Sequence, residues 1–199
     1  MLQAGGIVAL PTDTVYGIAV SLETPGGIER LFAAKERPPD KAIALLLADA
    51  KQAGEIGVLG AGAKLLADAF WPGGLTLVLP RRMERPLPAL AGGGAELETV
   101  GLRVPDHDAP RDLARAVGPL PTTSANRSGE PEARDAEELE ARLGHALDLI
   151  LDGGPAHGGP ASTVVDATVD PVRILREGAI PVAAIDRCLT SARLPGVGR

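Results

Sequence analysis

Lys35-Glu-Arg-Pro-Pro-Asp-Lys41 packs three cations into one window of a chain that has only four lysines and a formal net charge of −6. Cations this close repel one another unless something anionic sits among them. Pro38 and Pro39 stiffen the window, because each fixes its own φ and pushes the preceding residue toward an extended shape. Such a loop reads as a clamp for a phosphate-bearing ligand. The plainer alternative is a helix C-terminus whose basic residues complement the macrodipole, followed by a proline stop. Farther along, Arg103 and Arg176 join Lys35, Arg37 and Lys41 as candidate anion contacts. Hydroxyls recur beside them: Thr12, Thr14, Thr99, Thr122, Thr123, Ser124, Ser128, Ser162 and Thr163. A site of cations and alcohols holds a triphosphate and a small amino acid without supplying a protein nucleophile. Phosphoryl and nucleotidyl transfer ask for little more than positioning and charge stabilisation. For part of the hydroxyls, turn capping is the competing explanation.

Other chemistries lack their residues. The chain has no G-x-x-x-x-G-K-[ST] or G-x-G-x-x-G segment, so no familiar glycine loop holds a nucleotide. H-E-x-x-H and paired cysteines are absent, and His107, His145 and His157 stand apart in sequence. Ser124 is outside any G-x-S-x-G elbow. Cys188 reads as a small hydrophobe.

The elements that must position these residues follow from apolar runs and spacing. Ile7–Leu10, Ile43–Leu47, Leu75–Leu79, Val100–Val104 and Leu149–Leu151 are short apolar runs that suit strands buried on both faces. Residues 162–166 and 172–176 predict a closing strand pair around Asp170-Pro171. Residues 26–35 predict a helix, with Ile28, Leu31, Phe32 and Lys35 at i, i+3, i+4 and i+7, so Lys35 belongs to the inward stripe. Further helices are expected at 61–70, after Asp108 as a cap with Pro110 in the first turn, from a capping box at Asp135–Glu138 through Leu147, and at 182–189. Thr12–Gly17 and Pro119–Pro131 are the two hydroxyl-rich stretches, the first just past a strand end, where ligand-binding loops gather in α/β sheets. Residues 81–98 read as a long excursion that needs a function to justify it. An arginine in so short an apolar strand as Val100–Val104 calls for an anionic partner, protein or ligand.

The chain of 199 residues fits one domain, residues 1–199, with 190–199 expected to fray. Aromatics are 2% of it, so the core must be aliphatic. A single cysteine excludes an internal disulfide and suits a reducing compartment. No run reaches membrane-spanning length and no signal peptide is recognisable, so a soluble cytoplasmic protein is expected. The acidic balance argues against a nucleic-acid coat, though a local basic groove remains open.

Seven phrases in order carry a resemblance: Ala9-Leu-Pro-Thr-Asp-Thr-Val-Tyr-Gly17, Lys35-x-Arg37-Pro38, Trp71-Pro-Gly-Gly-Leu-Thr-Leu-Val-Leu79, Val100-Gly-Leu-Arg-Val-Pro105, Ser124-Ala-Asn-Arg-Ser-Gly129, Ser162-Thr-Val-Val-Asp166 and Ile174-Leu-Arg-Glu-Gly178. Over roughly residues 5–180 the chain resembles the TsaC/YrdC family of threonylcarbamoyl-AMP synthases. The resemblance implies an α/β fold, a single YrdC-like domain with a twisted, mostly open mixed sheet flanked by helices and a large concave cavity. It implies a nucleotidyltransferase that makes L-threonylcarbamoyladenylate and pyrophosphate from L-threonine, bicarbonate and ATP, with Mg²⁺ bound through the nucleotide. The product would pass to a tRNA threonylcarbamoyl-transfer complex, with weak RNA binding as an accompaniment. By motif, Lys35, Arg37, Lys41, Thr99, Ser124, Asn126 and Arg176 match ATP-contacting positions, Lys35 and Arg37 as the catalytic pair. Thr14, Arg103, Thr122 and Ser162 match threonine-contacting positions. Departures are Ala42 and Gly74 where relatives have proline, Leu46 where longer relatives have histidine, Glu132 where a small hydroxyl residue is frequent, and the short lead before Gly5. Those at residues 42 and 132 keep open a paralogue of the same fold, as in the YciO branch or a hydrogenase-maturation carbamoyltransferase domain; a non-enzymatic RNA-binding module is the other alternative, since the family fold can present a basic concave face.

Overall fold

In a computed structural model of the chain, the described residues are 1–38, 41–84, 87–88, 90, 98–156 and 159–198. They form a nine-stranded mixed sheet. In chain order the strands are β1 (Val8–Leu10), β2 (Gly17–Ala19), β3 (Ala44–Leu46), β4 (Leu75–Pro80), β5 (Thr99–Arg103), β6 (Leu120–Ser124), β7 (Leu149–Ile150), β8 (Thr163–Asp166) and β9 (Arg173–Arg176). Their order across the sheet is β7-β1-β2-β6-β3-β5-β4-β8-β9. Pairs β1/β7, β3/β5 and β4/β8 are parallel, and the remaining neighbours are antiparallel. The helices are α1 (Gly27–Ala34), α2 (Ala50–Ile56), α3 (Ala61–Phe70), α4 (Asp108–Val117), α5 (Ala136–Leu143) and α6 (Val182–Ser191).

Side chains alternate across a strand, and here the alternation separates two environments. One face carries Ala9, Ile18, Leu45, Leu75, Leu77, Leu79, Val100, Leu102 and Val165. All are buried in the main core with Ile28 and Leu31 of α1, Leu66 of α3, Leu139 of α5 and Ile185 of α6. The other face is apolar only at one end, where Val8, Leu10, Leu46 and Leu120 pack with Ala114 of α4. Its remainder is small and polar, and that half of the sheet forms the site. Leu77, with no exposed surface, is central to the main core. Leu77→Ala should cost about 2–5 kcal/mol, read as a lower urea midpoint at unchanged slope.

Several local expectations are corrected. No element is expected in the hydroxyl-rich stretch Pro119–Pro131, yet Leu120–Ser124 is β6, in the middle of the sheet. Pro121 stands opposite Leu45, and its carbonyl accepts the Val20 N–H, so the missing donor costs the sheet little. Neither β2 nor α2 was anticipated. The three residues of β2 are too few for a pattern. Helix α2 opens on Asp49, which accepts the Gln52 N–H (3.1 Å), despite Gly54 within it. His107, not Asp108, caps α4: its Nδ1 accepts the Ala109 N–H (3.2 Å), leaving the Asp108 carboxylate in the first turn, where the helix dipole favours it. The Asp135 cap forms as expected (Glu138 N–H, 2.8 Å), but Glu138 reaches back to the Arg134 N–H rather than to that of the cap. Near the C-terminal end, α6 runs to Ser191. Leu194 and Val197 pack on the core, and the Gly198 N–H donates to the Val172 carbonyl (2.8 Å). No helix among the described residues is long and apolar enough to cross a membrane.

Candidate active site

Five adjacent central strands turn alternate residues toward the same hollow: Thr122 and Ser124 of β6, Ala44 and Leu46 of β3, Thr99, Gly101 and Arg103 of β5, Thr76 and Val78 of β4, and Val164 of β8. The loop between β1 and β2, Ser162 just before β8, and Arg176 of β9 close its sides. The cavity measures about 360 Å³, within the range of small-molecule sites. Of the residues expected at the site, Thr14, Arg37, Thr99, Arg103, Thr122, Ser124, Ser162 and Arg176 line it. They come from segments that are distant in sequence, and the sheet pairing assembles them.

Arg103 is 6% exposed, and its guanidinium is held on three sides. Its Nη2 donates to Asp13 Oδ1 at 2.6 Å, its Nη1 to Thr14 Oγ1 at 2.9 Å, and its Nε to the Gly73 carbonyl at 3.0 Å. The anionic partner that the arginine required is therefore Asp13, a residue that sequence reasoning passed over. Its only signal was its position between Thr12 and Thr14. Burial pulls the Arg103 pKa down, the Asp13 carboxylate pushes it back up, and Arg176 pulls it down again. Three of the five guanidinium N–H groups have these partners among the described residues, so further N–H groups remain to meet a carboxylate.

Arg176 donates through Nε and Nη2 to the Ser162 carbonyl (3.2 and 2.8 Å) and through Nη2 to Ser162 Oγ (3.3 Å). Ser162 Oγ also lies 2.8 Å from Thr76 Oγ1. Thr76, buried and lining the cavity, is a second residue that was missed. Its signal was a lone hydroxyl in the Leu75–Leu79 run. Thr12 and Thr14 hydroxyls lie 3.1 Å apart, and Thr12 Oγ1 donates to the Val15 carbonyl (2.7 Å), so part of this hydroxyl set shapes the loop. The sole tyrosine serves structure: Tyr16 Oη donates to the Gly154 carbonyl (2.6 Å) and accepts the Gly153 N–H (3.1 Å).

Arg37 lies over the Phe32 ring (5.8 Å to the centroid) and donates to the carbonyls of Lys41 and Ala42 (3.1 and 2.8 Å), curling the basic window back on itself. Pro39 and Asp40 of that window lie outside the described residues. Lys41 is exposed, next to the cavity-lining Ala42, but is not itself part of the lining. Lys35 and Asn126, expected to touch the nucleotide, stand one layer behind the wall. Lys35 terminates α1 on its inward stripe and is 1% exposed. It therefore meets protein acceptors before it could meet a ligand. Of the excursion at 81–98, Leu90 lines the cavity, while 85–86, 89 and 91–97 lie outside the described residues, as does His157.

Burial first, then the charges of Arg37 and Lys41, together lower the Lys35 pKa from 10.5 to about 7, with Glu132 opposing them. The folded state therefore binds fewer protons than the unfolded state between about pH 7 and 10.5. Below that window both states are charged and the full burial penalty applies. Across it, stability should rise with pH by up to about 1.4 kcal/mol per unit. Urea unfolding between pH 6.5 and 9.5 should show this slope in the wild type and lose it in Lys35→Met.

The family model Sua5/YciO/YrdC, described as "Telomere recombination", matches residues 1–178. Among curated proteins, the chain is 36% identical over 188 residues to the threonylcarbamoyl-AMP synthase of Bacillus subtilis (strain 168), covering 94% of this chain and 54% of that protein. Among solved structures, P. abyssi Sua5 complexed with L-threonine superposes with a TM-score of 0.86 at 34% identity, covering 94% of this chain and 55% of that one. E. coli YciO superposes with a TM-score of 0.81 at 28% identity, covering 92% and 88%. The chain thus spans about half the length of the Bacillus and Pyrococcus relatives.

Proposed function

Because this chain belongs to the Sua5/YciO/YrdC family, we propose that it is an L-threonylcarbamoyladenylate synthase, a nucleotidyltransferase acting on ATP, L-threonine and bicarbonate. The observation that carries the reading is a single hollow lined by Arg37, Arg103 and Arg176 together with the hydroxyls of Thr14, Thr99, Thr122, Ser124 and Ser162. Arg103, oriented by Asp13, pairs with the substrate carboxylate. Thr14, Thr122 and Ser162 surround its polar groups. A site built to hydrogen-bond a hydroxyl rejects an analogue lacking it far better than an apolar pocket rejects a methylene.

The amine condenses with bicarbonate to a carbamate and water. A carbamate oxygen then attacks the α-phosphorus, and pyrophosphate leaves. Arg37 and Arg176 offset the phosphate charge, Thr99 and Ser124 donate to phosphate or ribose oxygens, and Lys41 contributes from the neighbouring surface. Lys35 and Asn126 act through Ser124. The donors facing the hollow are hydroxyls and guanidinium groups, which suit phosphate oxygens rather than a bare divalent ion. Mg²⁺ bound through the nucleotide, with no side-chain cluster among the described residues to hold it, would supply charge neutralisation at the pyrophosphate. Transfer of the product to a tRNA-modifying complex belongs to the same reading, in the cytoplasm.

Folded protein given ATP, threonine and bicarbonate should release pyrophosphate only when threonine is present. Threonine-independent release, or none, would overturn the assignment. A paralogue with another small substrate is the second reading, favoured by the close superposition on E. coli YciO. Under the synthase reading threonine raises the melting temperature in the presence of ATP; under the paralogue reading it does not.

A further inference from the structure

Lys35, expected at the nucleotide, has its amine among protein acceptors. Nζ donates to the Ser124 carbonyl, to Asn126 Oδ1 at 3.0 Å, to Thr123 Oγ1 at 3.2 Å and to Ser124 Oγ at 3.3 Å. Asn126 Oδ1 in turn accepts from Ser124 Oγ at 2.6 Å, and Asn126 Nδ2 donates to the Glu130 carbonyl at 2.6 Å. The Ser128 N–H donates to the Lys35 carbonyl at 3.1 Å, so backbone and side chain of one residue both grip the turn after β6. Asn126 is 8% exposed and Lys35 1%, and neither lines the cavity, whereas Thr123 and Ser124 do.

We propose that Lys35 is a positioning residue: its buried amine ties the end of α1 to the Ser124–Asn126 turn, sets where the Ser124 hydroxyl stands in the cavity, and acts on a bound anion only through that turn. The role rests on the proposed nucleotide site for its consequence in binding, but not for its geometry. The arrangement also explains a lysine among other cations. Four acceptors compete for the three protons of an ammonium, which favours the charged form, while burial and the neighbouring charges of Arg37 and Lys41 oppose it, with Glu132 on the favourable side. An anion arriving at Arg37 removes part of that repulsion, so its binding draws a proton onto Lys35.

Two measurements test this. The first needs no ligand: a double-mutant cycle of Lys35→Met and Asn126→Ala, read by urea unfolding. If the two side chains form one strut, the second substitution costs little once the first is made, and the cycle shows a coupling of roughly threefold or more in the unfolding constant. Losses that simply add would overturn the proposal, even if the wild type fails to bind ATP. That failure to bind would instead sink the nucleotide reading. The second is calorimetric titration with ATP at pH 7.5 in two buffers of different ionisation enthalpy. Wild type should take up a substantial fraction of a proton more than Lys35→Met. Lys35→Met should weaken ATP roughly tenfold, the effect of one misplaced hydrogen bond, and change it less than about twofold in a Ser124→Ala background. An equal loss in both backgrounds would make Lys35 a direct ligand and overturn the proposal.

Discussion

Arg103→Ala is expected to raise the threonine Kd by roughly 100-fold or more and to destabilise the protein by about 3–5 kcal/mol, the range for breaking one side of a buried ion pair. Two losses combine. The guanidinium is the cation best placed for a carboxylate, since Thr14 and Gly73 fix its plane. Its removal also strands Asp13, whose side chain is 16% exposed and whose partner lies at 2.6 Å. Arg103→Lys should not rescue threonine binding, because an ammonium cannot bond the Gly73 carbonyl, Thr14 and Asp13 at once while facing a ligand in the plane of a fork. Asp13→Asn separates the two losses: it keeps the shape, removes the counter-charge, and should weaken threonine less than Arg103→Ala does. Calorimetric titration with threonine in the presence of ATP checks the first effect and urea unfolding the second. An Arg103→Ala protein with unchanged threonine affinity would remove Arg103 from the binding role.

Gly178→Ala should be nearly as damaging, although Gly178 itself does not line the cavity. A Cβ there would stand 2.1 Å from the Ala161 carbonyl oxygen and 2.7 and 2.8 Å from Ser162 C and O. These are backbone atoms and cannot swing aside. The Gly178 N–H also donates to Thr163 Oγ1 at 2.9 Å, which pins the segment from the other side. The clash must push out the stretch that carries Ser162, which costs about 3 kcal/mol, at the upper end of overpacking effects. It also breaks the contacts of Ser162 with Arg176 and Thr76. Both stability and threonine affinity should fall. Gly54→Ala is the contrast: nothing lies within 4 Å of its Cβ position inside α2. That substitution should stabilise by roughly 0.5–1 kcal/mol without touching ligand affinity. Equal outcomes for the two glycines would contradict the role assigned to the Gly178 approach.

How much of this was legible beforehand depended on how local each feature is. The apolar runs that became β1, β3, β4 and β5 could be read because a strand buried on a core face needs continuous aliphatic residues, whatever its neighbours are. β6 could not be read this way. Its outward side chains include Thr122 and Ser124, because that part of the face is a cavity wall and not a core, and Pro121 interrupts the pattern a central strand shows. The inward setting of Lys35 followed from helical spacing alone, whereas its contacts on Ser124 and Asn126 did not.

By itself, then, the sequence determined the α/β character, the helix carrying Lys35, the need of Arg103 for an anion, and the family. Those follow from spacing, from the cost of burying a charge, and from ordered motifs. Only the tertiary structure decided that the anion is Asp13, that Thr76 belongs to the wall, and that Lys35 stands behind it rather than in it. The reason is that the order β6-β3-β5-β4-β8 brings together strands far apart in the chain, and a partner chosen across a sheet leaves almost no mark on the residues beside it in sequence.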